Sequence, residues 1–190
     1  MEKNFINYIE NGIKHRQLLL QDLVLQAKIS ELVELIIKCI ENGNKVMFAG
    51  NGGSAADSQH LSAELVSRFK FDRPGLASVA LTTDTSALTA IGNDYGFEFL
   101  FKRQLQAIGR PGDIFIGLST SGKSKNILNA LEYSAVSNIK GVIFTGDDTK
   151  NFNENVLVVN TPSNETCFIQ EIHITIGHYI CEQVERRLFS

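Results

Sequence analysis

Apolar residues recur along the chain in two rhythms. Over 2–26 they fall at Phe5, Ile6, Ile9, Ile13, Leu19, Leu20, Leu23 and Val24, a helical spacing mixed with polar residues. That helix stands ahead of the first strand, where an oligomerisation arm and a plain packing helix are both open readings. Over 29–42, Leu32, Leu35, Ile36, Cys39 and Ile40 predict a second helix, stopped at Asn42-Gly43. From residue 45, apolar runs of strand length alternate with helical stretches. Strands are predicted at 45–49, 77–81, 114–118, 141–144 and 156–159, and helices at 53–69, 85–91, 97–108, 124–137 and 165–188. Thr82-Thr83-Asp84 offers an N-cap for the helix from 85, Gly92-Asn93-Asp94-Tyr95-Gly96 is expected to break it, and 146–154 reads as a polar loop. Such alternation predicts a doubly wound α/β fold, a parallel sheet flanked by helices on both faces. With no repeat and no linker, 1–190 reads as a single domain, 1–43 helical and 44–190 carrying the α/β core and the C-terminal helix.

Composition narrows the class. The 190 residues are 43% hydrophobic, enough for an ordinary core, and the net charge of −3 leaves no electrostatic footprint for nucleic acid or membrane. Three cysteines, Cys39, Cys167 and Cys181, are odd in number and form no C-x-x-C pair, so reduced thiols are expected instead of a disulfide framework. The N-terminus lacks a basic segment followed by an apolar one, and no run approaches a membrane span, so a cytoplasmic protein is expected.

The chemistry concentrates after the first strand. Lys45–Ala49 runs through Gly50-Asn51-Gly52-Gly53 into a helix whose unpaired N–H groups favour an anion. Gly50, Gly52 and Ala55 formally match the dinucleotide fingerprint G-x-G-x-x-A. Yet position 70 is lysine, and the second strand ends in threonines where a ribose-binding acid is required. Gly117–Ser124 likewise satisfies the phosphate-loop pattern G-x-x-x-x-G-K-[ST], but only two predicted strands follow and neither runs into an aspartate. No nucleotide is expected. The hydroxyl-dense Ser119-Thr120-Ser121-Gly122-Lys123-Ser124 suits a sugar phosphate instead. His60 and Glu64 share a helix face at i,i+4, and Gln170 and His178 project in similar directions two turns apart on the last helix. Should the two helices meet, four N/O donors would converge in a set suited to zinc. A solvated i,i+4 pair is the plainer alternative, and spacing alone leaves both open. His15 reads as a surface or packing residue and His173 as a satisfied core histidine.

Gly50–Asp57, Gln59-His60, Ala63-Glu64-Leu65, Ala80–Leu88, Ala90–Glu98, Ser119-Thr120-Ser121-Gly122-x-Ser124 and Ile169-Gln170-Glu171-x-His173…Ile176-Gly177-His178 closely resemble the phosphoheptose isomerase family of the sugar isomerase (SIS) fold. The resemblance covers about residues 40–185, in order and at family spacing. It implies a SIS domain of flavodoxin-like architecture, assembled as a homotetramer with active sites at subunit interfaces and N-terminal helices taking part in the assembly. The implied reaction is isomerisation of D-sedoheptulose 7-phosphate to D-glycero-D-manno-heptose 7-phosphate, supplying heptose for lipopolysaccharide or capsule. By matching positions, Ser119, Thr120, Ser121 and Ser124 would hold the phosphate. Asn51, Gly52, Gly53, Ser54, Glu64, Asn93, Asp94 and Gln170 would bind the sugar. Glu64 and His178 would be the acid/base pair, and His60, Glu64, Gln170 and His178 the ligands of one zinc per subunit. Two departures stand out: Phe168 where many relatives have arginine, and Lys123 where asparagine is common. An isomerase of another phosphosugar and a non-catalytic, partner-binding SIS protein are the alternatives. The latter relatives lack the acid and the histidine that stand here at 64 and 178.

Overall fold

The apolar runs form five parallel strands in the computed structural model, which describes residues 2–146 and 152–190. Strands β1 (Val46–Gly50), β2 (Ser78–Ala80), β3 (Ile114–Leu118), β4 (Lys140–Thr145) and β5 (Leu157–Asn160) lie in the order β2-β1-β3-β4-β5. Helices α1 (Glu2–Gln21), α2 (Leu23–Glu41), α3 (Gly53–Val66), α4 (Thr85–Asp94), α5 (Leu100–Ile108), α6 (Lys125–Val136) and α7 (Thr166–Phe189) complete the fold. Residues β1 and β3 contribute are buried throughout, as strands covered on both faces must be.

Side chains alternate between two apolar layers. Val46, Phe48, Ile114, Ile116, Val142 and Phe144 face α2, α3 and α7, meeting Leu32, Ile36, Leu61, Leu65, Ile176 and Ile180. Met47, Ala49, Phe115 and Ile143 face α5 and α6, meeting Phe101, Leu105, Ile127 and Leu131. The predicted doubly wound sheet is therefore present. From β1 the chain passes to β2 on one side and then to β3 on the other. The loops after β1 and β3 diverge at that switch point and leave a crevice beyond the strand ends, the usual ligand position in such sheets.

Boundaries differ from expectation where a side chain intervenes. The stretch 2–26 ends as a helix at Gln21, because the Asp22 carboxylate accepts a hydrogen bond from Leu25 N at 2.9 Å and starts α2 there. The helix expected to reach 69 stops at Val66, where Arg73 takes over its last carbonyls. Gly92 does not break α4, which runs on to Asp94; one glycine costs a helix only about 1 kcal/mol. A single 3-10 turn, Phe97–Phe99, precedes α5. Of the polar loop at 146–154, residues 147–151 lie outside the described residues.

Candidate active site

The crevice is built by two turns held in register. Gly50 pairs with Leu118 across β1 and β3, so the turns that follow them leave the sheet side by side. After β1, Gly52 adopts φ +56°, a left-handed conformation that a Cβ would disfavour, and α3 begins immediately with Gly53 and the buried Ser54. Asn51 and Gly52, with Thr82, Gly92 and Phe97, line a cavity of about 420 Å3. At the end of α4, Asn93 Nδ2 donates to Asp94 Oδ1 at 2.9 Å, both side chains exposed.

After β3, Ser119 Oγ donates to Ser124 Oγ at 2.9 Å, and the Lys123 N–H donates to Ser121 Oγ at 3.2 Å. Gly122 has φ +62°, and a Cβ there would stand 3.0 Å from Thr145 Oγ1, so the loop needs glycine on two counts. The Gly146 N–H donates to the Thr120 carbonyl at 3.0 Å, tying this loop to the end of β4. Hydroxyls at 119, 120, 121 and 124 thus cluster at the N-terminus of α6, where the helix dipole favours an anion. The two turns fit a phosphorylated ligand with its tail over α6.

Deeper along α3 lies a second cluster. The helices α3 and α7 run in parallel: Gly53 meets Gln170, its Cβ position only 2.6 Å from Gln170 Nε2, and Gly177 meets Leu61 two turns on. At that second meeting point His60 Nε2 lies 2.8 Å from His178 Nε2 and 3.3 Å from Glu64 Oε1. One potential ligand atom from each of the three lies within 4.8 Å of the others. Phe69 packs its ring 5.5 Å from that of His178. Gln170 precedes His178 by eight residues, about 12 Å of helix, so within one chain three of the four expected donors meet and Gln170 joins the Gly53 turn instead.

Asp57 was given no role in the sequence, although 57, 60 and 64 fall at i, i+3 and i+7, the spacing of one helix face. Burial raises its carboxyl above the ordinary range, an effect His60 and His178 partly offset, and its Oδ2 has no hydrogen-bond partner. The charge of Asp57 acts on both imidazoles, while the metal-spaced group itself is His60, Glu64 and His178, two imidazoles and a carboxylate that suit a cation. Tetrahedral zinc spaces its nitrogen ligands about 3.3 Å apart, and the observed separations require only a slight opening. His60, Glu64 and His178 therefore fit zinc.

What holds Glu64 in place is a buried ion pair. Glu185 accepts from the N–H groups of Phe69 and Lys70, each at 2.7 Å, from Phe71 at 3.1 Å and from Arg73 Nε at 3.1 Å. Arg73 in turn donates to the carbonyls of Glu64 at 2.8 Å and Leu65 at 2.7 Å, capping α3. Burial alone would raise the Glu185 carboxyl, but those three N–H groups and the guanidinium outweigh it and hold it below its ordinary value.

The remaining histidines divide. His15 hydrogen-bonds the Pro162 carbonyl at 2.9 Å and stacks near Phe168, a packing role as expected. His173 is buried as expected but only half satisfied: Nε2 faces the Thr145 carbonyl at 3.3 Å, while Nδ1 has no partner. Phe168 is buried between α7 and α1, its ring 5.0 Å from Tyr8 and 5.1 Å from His15, so this departure serves a helix–helix contact. All three cysteines are free, as expected. Among the described residues no helix is long and apolar enough to cross a membrane.

Distance sets one further condition. Glu64 follows Gly53 by eleven residues, about 16 Å of helix leading away from the Ser119–Ser124 loop. Within one chain that length of helix lies between the Gly53 turn, which leaves the sheet beside the cradle, and the carboxylate.

The chain is similar to known proteins in sequence and in fold. The SIS domain family matches residues 10–146. The phosphoheptose isomerase of Aneurinibacillus thermoaerophilus is 52% identical over 184 residues, covering 96% of this chain and 93% of that protein. Phosphoheptose isomerase 2 of Campylobacter jejuni is 52% identical over 193 residues, covering 99% and 96%. The solved phosphoheptose isomerase of Neisseria gonorrhoeae superposes with a TM-score of 0.89 at 37% identity, over 97% of this chain and 98% of that one.

Proposed function

Because the chain belongs to the SIS-domain family and, within it, to the phosphoheptose isomerases, we propose that it interconverts D-sedoheptulose 7-phosphate and D-glycero-D-manno-heptose 7-phosphate. One observation carries the reading: a carboxylate and an imidazole from residues 64 and 178 meet between α3 and α7, as proton transfer between neighbouring carbons requires.

Moving the carbonyl from C2 to C1 takes a proton from C1, forms an enediolate and returns a proton to C2. Glu64 removes the C1 proton and delivers it to C2, while His178 shifts a proton between the two oxygens. Reversed roles for the two residues satisfy the same balance. Ser119, Thr120, Ser121 and Ser124, with the α6 N-terminus, anchor the phosphate and hold the reacting carbons still. Asn51, Gly52, Gly53, Ser54, Asn93, Asp94 and Gln170 bind the sugar hydroxyls. Zinc held by His60, Glu64 and His178, one per subunit, would supply Lewis acidity toward the carbonyl oxygen.

The length of helix between cradle and carboxylate in one chain supports an active site shared between subunits, the cluster of one facing the cradle of its neighbour. The exposed apolar side chains Phe5, Ile6, Ile9 and Ile13 on α1 support a homotetramer in which the N-terminal helices take part. The product would supply heptose for lipopolysaccharide or capsule, made in the cytoplasm without nucleotide, nucleic acid or membrane partners. Incubating the purified protein with sedoheptulose 7-phosphate, with and without chelator, tests the reading by the appearance of the aldose. Absence of the aldose in the metal-replete sample rejects it.

A further inference from the structure

Asn126 is buried, at 1% exposure, in the first turn of α6. Its Nδ2 donates to Asn51 Oδ1 at 2.8 Å, and Asn51 Nδ2 donates to Asn126 Oδ1 at 3.0 Å. This reciprocal pair is the same if oxygen and nitrogen are exchanged in both amides, so it does not depend on how either is oriented. It also spans the switch point. Asn51 belongs to the turn after β1, at the edge of the sugar-binding cavity, whereas Asn126 lies two residues beyond the hydroxyl cradle that follows β3.

An amide offers two N–H groups and two carbonyl lone pairs, and the pair consumes one of each. Asn51, only half-buried, therefore keeps one donor and one acceptor for a ligand, with its rotation about the side chain removed. Asn126 is too deeply buried to reach that ligand well. Its hydrogen bonds act through another residue.

We propose that Asn126 is a positioning residue, fixing the Asn51 amide and the spacing between the sugar-binding turn and the phosphate loop. The proposal rests on the sugar-phosphate reading of this crevice. If Asn126 works through Asn51, its loss is felt only while Asn51 is present. Substrate binding suffers more than the chemical step, since neither residue reaches the Glu64–His178 cluster.

A double-mutant cycle separates this from general loosening. Asn51→Ala, Asn126→Ala and the double variant are compared for sedoheptulose 7-phosphate affinity by calorimetry, for kcat and KM, and for Tm. Asn126→Ala is expected to raise Kd and KM about tenfold, the scale of an ordered hydrogen bond, with kcat within about twofold of the parent. In the Asn51→Ala background the same change adds nothing. An unchanged Kd in Asn126→Ala, or an equal loss in both backgrounds, overturns the proposal. Should Asn126→Ala fold poorly, Asn126→Ser, too short to bridge to Asn51, takes its place in the cycle with the same outcomes. A parent protein that binds the sugar phosphate without turning it over counts against the isomerase assignment alone, because the binding cycle still decides the role of Asn126. A parent that does not bind it overturns both.

Discussion

A histidine and a glutamate four residues apart on a helix ordinarily make a solvated pair. At 60 and 64 they do more, because His178 arrives from a helix over a hundred residues later and places its Nε2 2.8 Å from that of His60. Glu64→Gln and His178→Gln each remove a proposed proton carrier with little change of size. Turnover is expected to fall by about 10²–10⁴-fold or more in each, the range for general acid–base groups, with Tm and oligomeric state unchanged. Near-normal rates in either variant remove that residue from the chemistry. Zinc binding followed by calorimetry should weaken sharply in both variants as well. His173 gives a residue-scale prediction about stability. Burial holds its imidazole down to about 4, so between pH 6.5 and 4 the unfolded chain takes up a proton that the folded one refuses. The stability this neutral histidine contributes is complete above pH 6.5 and drains away toward pH 4. A His173→Gln variant should therefore show a shallower fall in Tm over that interval than the parent, whatever its Tm at pH 7.

Between elements, the cluster depends on how closely α3 approaches α7. Gly177 makes that approach possible, since a Cβ there would collide with Leu61, itself buried and without room to turn away. Gly177→Ala is expected to cost about 1–3 kcal/mol by overpacking and to push His60 from His178. Isomerase activity and zinc affinity should both fall, measured beside a denaturant titration; full activity with only a shifted midpoint would show that the helix spacing does not matter. The Arg73–Glu185 pair closes the other end of α3. Removing one member strands a buried charge, at a cost of about 3–5 kcal/mol, so Arg73→Ala should lower Tm far more than any exposed ion-pair variant, such as Arg187→Ala opposite Glu34. Because Glu185 is held below its ordinary value, its contribution persists above about pH 4.5 and is lost as pH falls further.

At the scale of the whole molecule, one chain holds the hydroxyl cradle and the His60–Glu64–His178 cluster at different levels of α3. In the proposed shared site, the cradle at the C-terminal edge of the sheet and the carboxylate eleven residues along α3 would come from different subunits. Replacing Ile9 and Ile13 with glutamate places charge on the apolar face of α1. Light scattering should then show a smaller species, and turnover should drop with it, while zinc binding by His60, Glu64 and His178 persists. Retained activity in a monomer would put the whole site within one chain.

Much of the fold was legible because parallel strands buried on both faces must be continuous apolar runs, and the helices between them must carry an apolar stripe. Strand and helix order, the glycine turns at 50–53 and 119–124, and the residue types for proton transfer all follow from such local rules. Helix ends were not legible where a distant or unexpected side chain supplied the cap, as Arg73 does for α3 and Asp22 for α2. The parting of Gln170 from His178 was legible, because eight residues of helix rise about 12 Å even when two side chains share a direction around it. Phe168 stood out in the sequence only as a departure from the family pattern, and the packing of α1 on α7 gave it a task. Sequence alone determined which groups are present and which helix face each occupies, since backbone periodicity is a local property. Which of those faces touch was decided by the tertiary structure. The meeting of residues 60, 64 and 178, and that of 51 and 126, depends on how the sheet's strand order brings together helices and turns distant along the chain.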